Sequence, residues 1–273
     1  MLSKPSVRAP AVAGTFYPGE SRELAQTLAQ MLGTAAHDAP ERSVPKALIA
    51  PHAGYIYSGP VAASVYALLA PARRSITRVV LLGPTHRVAV RGLALPASQA
   101  FATPLGTVEI DRAAVDTLRG MPQVTVSEQA HALEHSLEVH VPFLQTVLDH
   151  FTLVPLAVGH ASAQEVAEVL DALWGGPETL IVVSSDLSHY LSYGDAQAVD
   201  RATAKAILGL ASDLSHEQAC GATPVTGLSQ TAKRRGLKAE LIDLRNSGDT
   251  AGDKNRVVGY GAFAFYEEAR NAR

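Results

Sequence analysis

Short, nearly continuous apolar runs alternating with stretches of helical periodicity restrict the fold of this chain more than any other feature. The runs are residues 46–50, 78–82, 152–158, 179–183, 239–244 and 256–265. Successive strand residues point to opposite faces, so sequences such as VVLL or LIVV must be covered on both. Between the runs, apolar residues recur at spacings of three and four. They are Leu24, Leu28, Met31 and Leu32, then Val61, Val65, Leu68 and Leu69, then Val166, Val169, Leu170 and Leu173 behind the capping box Ser162-x-x-Glu165. This predicts an α/β fold with a central, mostly parallel or mixed β-sheet flanked by helices on both faces. Residues 93–110 break the rhythm: LAL, FATPLG and TVEI read as an antiparallel excursion around a Pro-Leu-Gly turn. Residues 33–45 read as a surface loop. At 273 residues the chain is expected to form one domain over residues 1–273.

Composition narrows the function. With 47% hydrophobic and 18% charged residues the chain can bury a large core. A formal charge of −3, without long runs of either sign, leaves no electrostatic footprint for nucleic acid or an anionic membrane, so the expected partner is a small-molecule substrate or a peptide ligand. No apolar stretch reaches the ~18 residues of a membrane span, and the opening MLSKPSVRAP lacks the apolar core of a signal peptide, which predicts a cytoplasmic location. Cys220 is the only cysteine. Intrachain disulfides and paired-cysteine zinc sites are therefore excluded, and any metal must rely on histidine.

Ligands in open α/β sheets bind beyond the carboxyl ends of strands. Three runs here deliver a histidine to that edge: ALIA leads to His52, VVLL to His86, and LIVV through Ser184, Ser185 and Asp186 to His189. One such histidine alone usually caps or hydrogen-bonds a loop. Three on neighbouring strands could meet at one point, and imidazole is the commonest ligand for zinc, iron and copper. Cys220, before Gly221 and between two helical patterns, would complete a two-His, one-Cys set with an open position, against the simpler reading of a small buried hydrophobe. Asp186 fits as the acceptor that fixes a histidine tautomer.

The segment HALEHSLEVH is open to two readings. His131-x-x-Glu134-His135 matches the H-x-x-E-H pattern of inverted zinc peptidases. Alternatively, His135, Glu138 and His140 reach the pocket from a helix start, with Tyr55 and Tyr57 of AGYIY as further lining residues. No phosphate-binding G-x-x-x-x-G-K-[ST] loop, G-x-S-x-G elbow or G-x-G-x-x-G turn is present, which leaves nucleotide binding and serine hydrolysis without support.

Several long segments in order resemble the Memo family, also called AmmeMemoRadiSam system protein B. They are VRAPAVAGTFYP at residues 7–18, APHAGYIYSGPVAA at 50–63, LLGPTHR at 81–87, TPLG at 103–106, EHSLEVHVPFLQ at 134–145, VVSSDLSHY at 182–190 and ACG at 219–221. The resemblance implies a fold like that of class III extradiol dioxygenases, which use Fe(II) to open catechol rings. It also implies a metal site at His52, His86 and Cys220, with His189 at the position of the dioxygenase acid/base. Those enzymes use two histidines and a carboxylate; Cys220 stands where the carboxylate would be, and a thiolate is softer and more oxidisable. The family name further implies Ammecr-type and radical-SAM proteins as partners.

Two functions follow as expectations. In the first, one transition metal, iron before copper or zinc, is held by His52, His86 and Cys220 in an oxidoreductase-like protein. His189 moves protons there, Asp186 assists it, and Tyr55, His135, Glu138 and His140 line the pocket. In the second, the same pocket is a binding module for a protein segment or small acid.

Overall fold

The computed structural model describes residues 6–37 and 43–267. The chain runs β1 (Val7–Arg8), α1 (Ser21–His37), β2 (Ala47–Ala50), α2 (Tyr55–Tyr66), β3 (Arg78–Pro84), β4 (Leu93–Leu95), β5 (Ala100–Thr103), β6 (Gly106–Glu109), α3 (Arg112–Leu118), β7 (Val124–Val126), α4 (Glu128–Ala132), α5 (Val141–Val147), β8 (Thr152–Val158), α6 (Ala163–Leu173), β9 (Thr179–Ser184), β10 (His189–Leu191), α7 (Tyr193–Leu208), α8 (Ala222–Arg235), β11 (Lys238–Asn246) and β12 (Val257–Tyr266). Every apolar run that the sequence marks as a strand is one.

The main sheet has the order β10-β12-β2-β9-β3-β8-β4-β7, with β11 paired to β12. Its centre, β2-β9-β3-β8, is parallel. Antiparallel pairs flank it, β12 on β2 and β4 on β8, so the sheet is mixed. Every residue of β2 and of β9 is buried, which requires cover on both faces. Helix α2 packs on β2, β11 and β12 with α1 behind it; α8 packs on β3 and β9 with α6 behind it. The capping box forms: Ser162 Oγ accepts from the Glu165 N–H and Glu165 Oε2 accepts from the Ser162 N–H.

Two local expectations change. The excursion splits: β5 and β6 form the expected hairpin, joined by β1 in a three-stranded sheet, while β4 enters the main sheet. Helix α1 extends through residues 33–37, part of the expected surface loop, because its Ala-rich end propagates the helix past Gly33. Residues 38–42 of that loop lie outside the described residues.

A buried ion pair ties the N-terminal segment to the loop before α5. Glu138 accepts from Arg8 Nη1 at 2.7 Å, from the Ala11 and Val12 N–H groups at 2.7 and 2.9 Å, and from the Tyr17 hydroxyl at 2.6 Å. Arg8 also donates to the carbonyls of His131 and Glu134, each at 2.7 Å. Both side chains are almost fully buried, so removing one strands the other's charge. Glu138→Ala is expected to lower the unfolding free energy by about 3–5 kcal/mol in urea titrations; a loss under about 1 kcal/mol contradicts this role.

Candidate metal centre

The three histidine-bearing strands lie side by side, with β9 between β2 and β3. Ala50 pairs with Ser184, and Leu82 with Val183, so all three chains leave the sheet at one edge. His52 follows β2, His86 follows β3, and Cys220 approaches from the start of α8. Two glycines permit the approach. A Cβ on Gly221 would lie 2.5 Å from the Ser184 carbonyl oxygen, and one on Gly83 would lie 2.9 Å from Ser136 Oγ. The Gly221 N–H donates to Ser185 Oγ, and the Cys220 N–H to the Asp186 carbonyl. The thiol is thereby held against the loop after β9.

Hydrogen bonding fixes which imidazole nitrogen faces inward. Ser184 Oγ donates to the Ser136 carbonyl at 2.6 Å, so it must accept from His52 Nδ1–H, also at 2.6 Å. This leaves the His52 Nε2 lone pair facing Cys220 Sγ, whose thiol it accepts from at 3.4 Å. Glu134 does the same for His86: its oxygens accept from the ring Nδ1–H at 2.8 Å and from the backbone N–H at 2.6 Å. The His135 and Ser136 N–H groups also donate to Glu134. Burial pushes the Glu134 carboxyl up, but these bonds, the His86 ones first, outweigh it and hold it at about 2. One ligand atom from each of His52, His86 and Cys220 lies within 4.8 Å of the others. This donor set of two oriented imidazoles and one thiol fits a transition metal ion, since each second ring nitrogen is already occupied.

The electrostatics agree. Burial, and then its neighbours His86 and His135, keep His52 well below the ordinary imidazole pKa, so it is neutral and able to ligate at pH 7. Burial, reinforced by the Asp186 charge, pushes the Cys220 thiol up to about 12. A thiolate at this depth needs a cation beside it, and a coordinating metal supplies one.

The remaining candidates separate into those at the site and those behind it. His135 stacks on His86 at 4.6 Å and meets His52 edge-on at 5.5 Å. His135, Asp186 and His189 line an open cleft of about 510 Å³ with Phe16, Tyr57 and Arg256. Asp186 accepts from the His52 backbone N–H at 2.7 Å, so it holds the chain and not the ring; Ser184 sets the tautomer that the sequence reading gave to Asp186. Tyr55, Glu138 and His140 are not in the cleft. The Tyr55 hydroxyl donates to the Val139 carbonyl, Glu138 anchors Arg8, and His140 Nδ1 bonds the Tyr66 hydroxyl in the interior. Sequence reasoning missed the orienting residues Ser184 and Ser136, the His86-holding role of Glu134, and the cleft residues Phe16 and Arg256.

The zinc-peptidase arrangement does not form. Helix α4 ends at Ala132, between the two histidines of the motif. His131 is buried and donates from Nε2 to the Ala94 carbonyl, while its Nδ1 has no partner among the described residues. Burial holds its pKa down at about 4, so it is neutral in the folded protein. A folded pKa below the ordinary 6.5 contributes stability that is complete above about pH 6.5 and lost as pH falls toward 4, in all on the order of 3 kcal/mol. Urea titrations across that window should show the decline; a flat profile contradicts it.

Comparison with known proteins places these residues in a family. The model of the family described as Memo-like protein matches residues 8–264. A protein titled MEMO1 family protein from Aquifex aeolicus is 36% identical over 266 residues, covering 93% of this chain and 97% of its own. One from Methanosarcina barkeri is 37% identical over 273 residues, covering 94% and 98%. A crystal structure of an uncharacterized Escherichia coli K12 protein aligns with 80% of this chain and 99% of its own, at 16% identity and a TM-score of 0.46. The match runs through the strands that carry His52 and His86 and through the turn that carries Cys220, and the chain belongs to the Memo family.

Proposed function

We propose that this chain is a metal-dependent protein of oxidoreductase type, in which His52, His86 and Cys220 hold one transition ion and the neighbouring cleft takes a small-molecule substrate. The supporting observation is the convergence of one ring nitrogen from each of His52 and His86 with the Cys220 sulfur, with both Nδ1 atoms already bonded to orienting groups. Iron is the first choice, with copper and zinc as alternatives. A bound iron or copper ion supplies Lewis-acid polarisation and one-electron chemistry.

The chain's own residues prepare that chemistry. The Glu134 carboxylate keeps the His86 ring oriented and strengthens it as a donor. Ser184 does the orienting at His52 without adding charge. Cys220 contributes a soft sulfur in place of a carboxylate, which favours a more covalent, oxidisable centre and argues against simple transfer of catechol-cleaving activity. His189, on the cleft wall at the start of β10, is the proposed proton carrier. A ring nitrogen there would take the proton of a substrate hydroxyl and return it to product. Phe16 and Tyr57 would exclude water from the bound substrate.

Metal analysis of protein purified without added metal tests the proposal. Near-stoichiometric iron or copper is expected in the parent chain. Cys220→Ser should lose it, and Glu134→Gln should weaken its binding by about 10–100-fold, the usual effect of removing a carboxylate behind a ligating histidine. A metal-free parent chain, or a Cys220→Ser variant that retains its metal, contradicts it. A metal-free chain that still binds ligands in this cleft points instead to a binding module.

A further inference from the structure

The cleft beside His135 and His189 carries a cation that the proposed chemistry does not use. Arg256 lines the cleft, and its Cζ lies 5.0 Å from the centre of the Tyr190 ring. Among the described residues Arg256 has no carboxylate partner; its guanidinium lies over the tyrosine ring. Tyr190 is itself unusual. It sits in the irregular β10–β12 pairing with a φ of 61°, and the residue is 63% exposed. A bulky residue in the left-handed region is strained, and such strain persists where the surroundings impose it, commonly at ligand sites. Besides Arg256, the ring contacts His189, at 5.8 Å. Ring and guanidinium thus form one unit at the cleft, next to the proposed proton carrier.

The other walls suit a flat ligand. Phe16, Tyr57, Tyr260 and His135 line the same cleft, so four more of its residues carry rings. A guanidinium stacked on a ring keeps its N–H edge free, and that planar fork matches the two oxygens of a carboxylate. Asp186 and Asp253 also line the cleft, so a second negative charge on the ligand would be opposed. A volume of about 510 Å³ is that of a small-molecule site.

We infer that the cleft binds a small planar monocarboxylic acid, with its carboxylate on Arg256, its ring against Tyr190 and its far edge toward His189 and the ligand set. This names the substrate class for the site proposed above and rests on the cleft being the substrate site. Recognition of the acid itself requires no metal, which allows the two ideas to fail separately.

Calorimetric titration with benzoate, benzyl alcohol and phenyl phosphate tests it, using the parent chain, Arg256→Gln and Cys220→Ser. Arg256 is exposed, so its replacement should leave the fold intact, as circular dichroism would verify. Saturable benzoate binding is expected in the parent chain and in Cys220→Ser. In Arg256→Gln benzoate should bind at least fivefold more weakly, and benzyl alcohol should bind more weakly than benzoate to the parent chain. Absence of benzoate binding to the parent chain, equal benzoate affinity in Arg256→Gln, equal affinity for the alcohol, or tighter binding of phenyl phosphate overturns the inference. Loss of metal in Cys220→Ser does not bear on it. If benzoate binds as expected and the parent chain is metal-free, the acid site stands and the metal proposal falls.

Discussion

The structure depends on β9 lying between β2 and β3 in one parallel register. Because Ala50 pairs with Ser184 and Leu82 with Val183, the segments that follow the three strands emerge within a few residues of one another. No flexible loop has to search for the site: the backbone hydrogen bonds that hold the sheet also bring His52 and His86 within ring-contact distance, 5.2 Å between centres. The strands are apolar at nearly every position, so shifting one would move polar residues into a fully covered layer. Stability of the core and geometry of the site therefore share one cause.

The orienting groups come from a different part of the chain. Ser136 and Glu134 belong to the loop before α5; Glu134 bonds the His86 ring directly and the Ser136 carbonyl fixes Ser184, which bonds the His52 ring, because Gly83 leaves room for that loop against β3. The loop is in turn tied down by Arg8 and Glu138, buried groups with partners on both sides. A line of hydrogen bonds thus connects the N-terminal segment to the ring nitrogens of the candidate ligands. Each bond is modest alone, but the buried charges make the cost of losing one large.

The legible parts of the sequence were those governed by periodicity. Runs such as LIVV admit one kind of sheet, and a histidine just beyond such a run has few places to go. The segment HALEHSLEVH was the opposite case. It holds three histidines and two glutamates in ten residues, and its local pattern allows a metal-binding helix or a pocket edge. Partners far along the chain decided its conformation: Arg8 takes Glu138, Ala94 takes His131, and His86 takes Glu134. Pairings across such separations leave no trace in local spacing. Ser184 was hidden for another reason, since a serine after a strand is ordinary until the Ser136 carbonyl behind it is known to claim its proton. Arg256 lay at the start of a run read as strand, and nothing in that run marks the bulge that sets Tyr190 beneath it.

X-ray absorption at the metal edge of protein purified without added metal tests the central claim most directly, because it reports the donor atoms themselves. One sulfur at about 2.3 Å is expected together with two imidazole nitrogens at about 2.0–2.1 Å, taking zinc–ligand lengths as the guide. A bound ion surrounded by oxygen and nitrogen donors alone, with no sulfur shell, would contradict it.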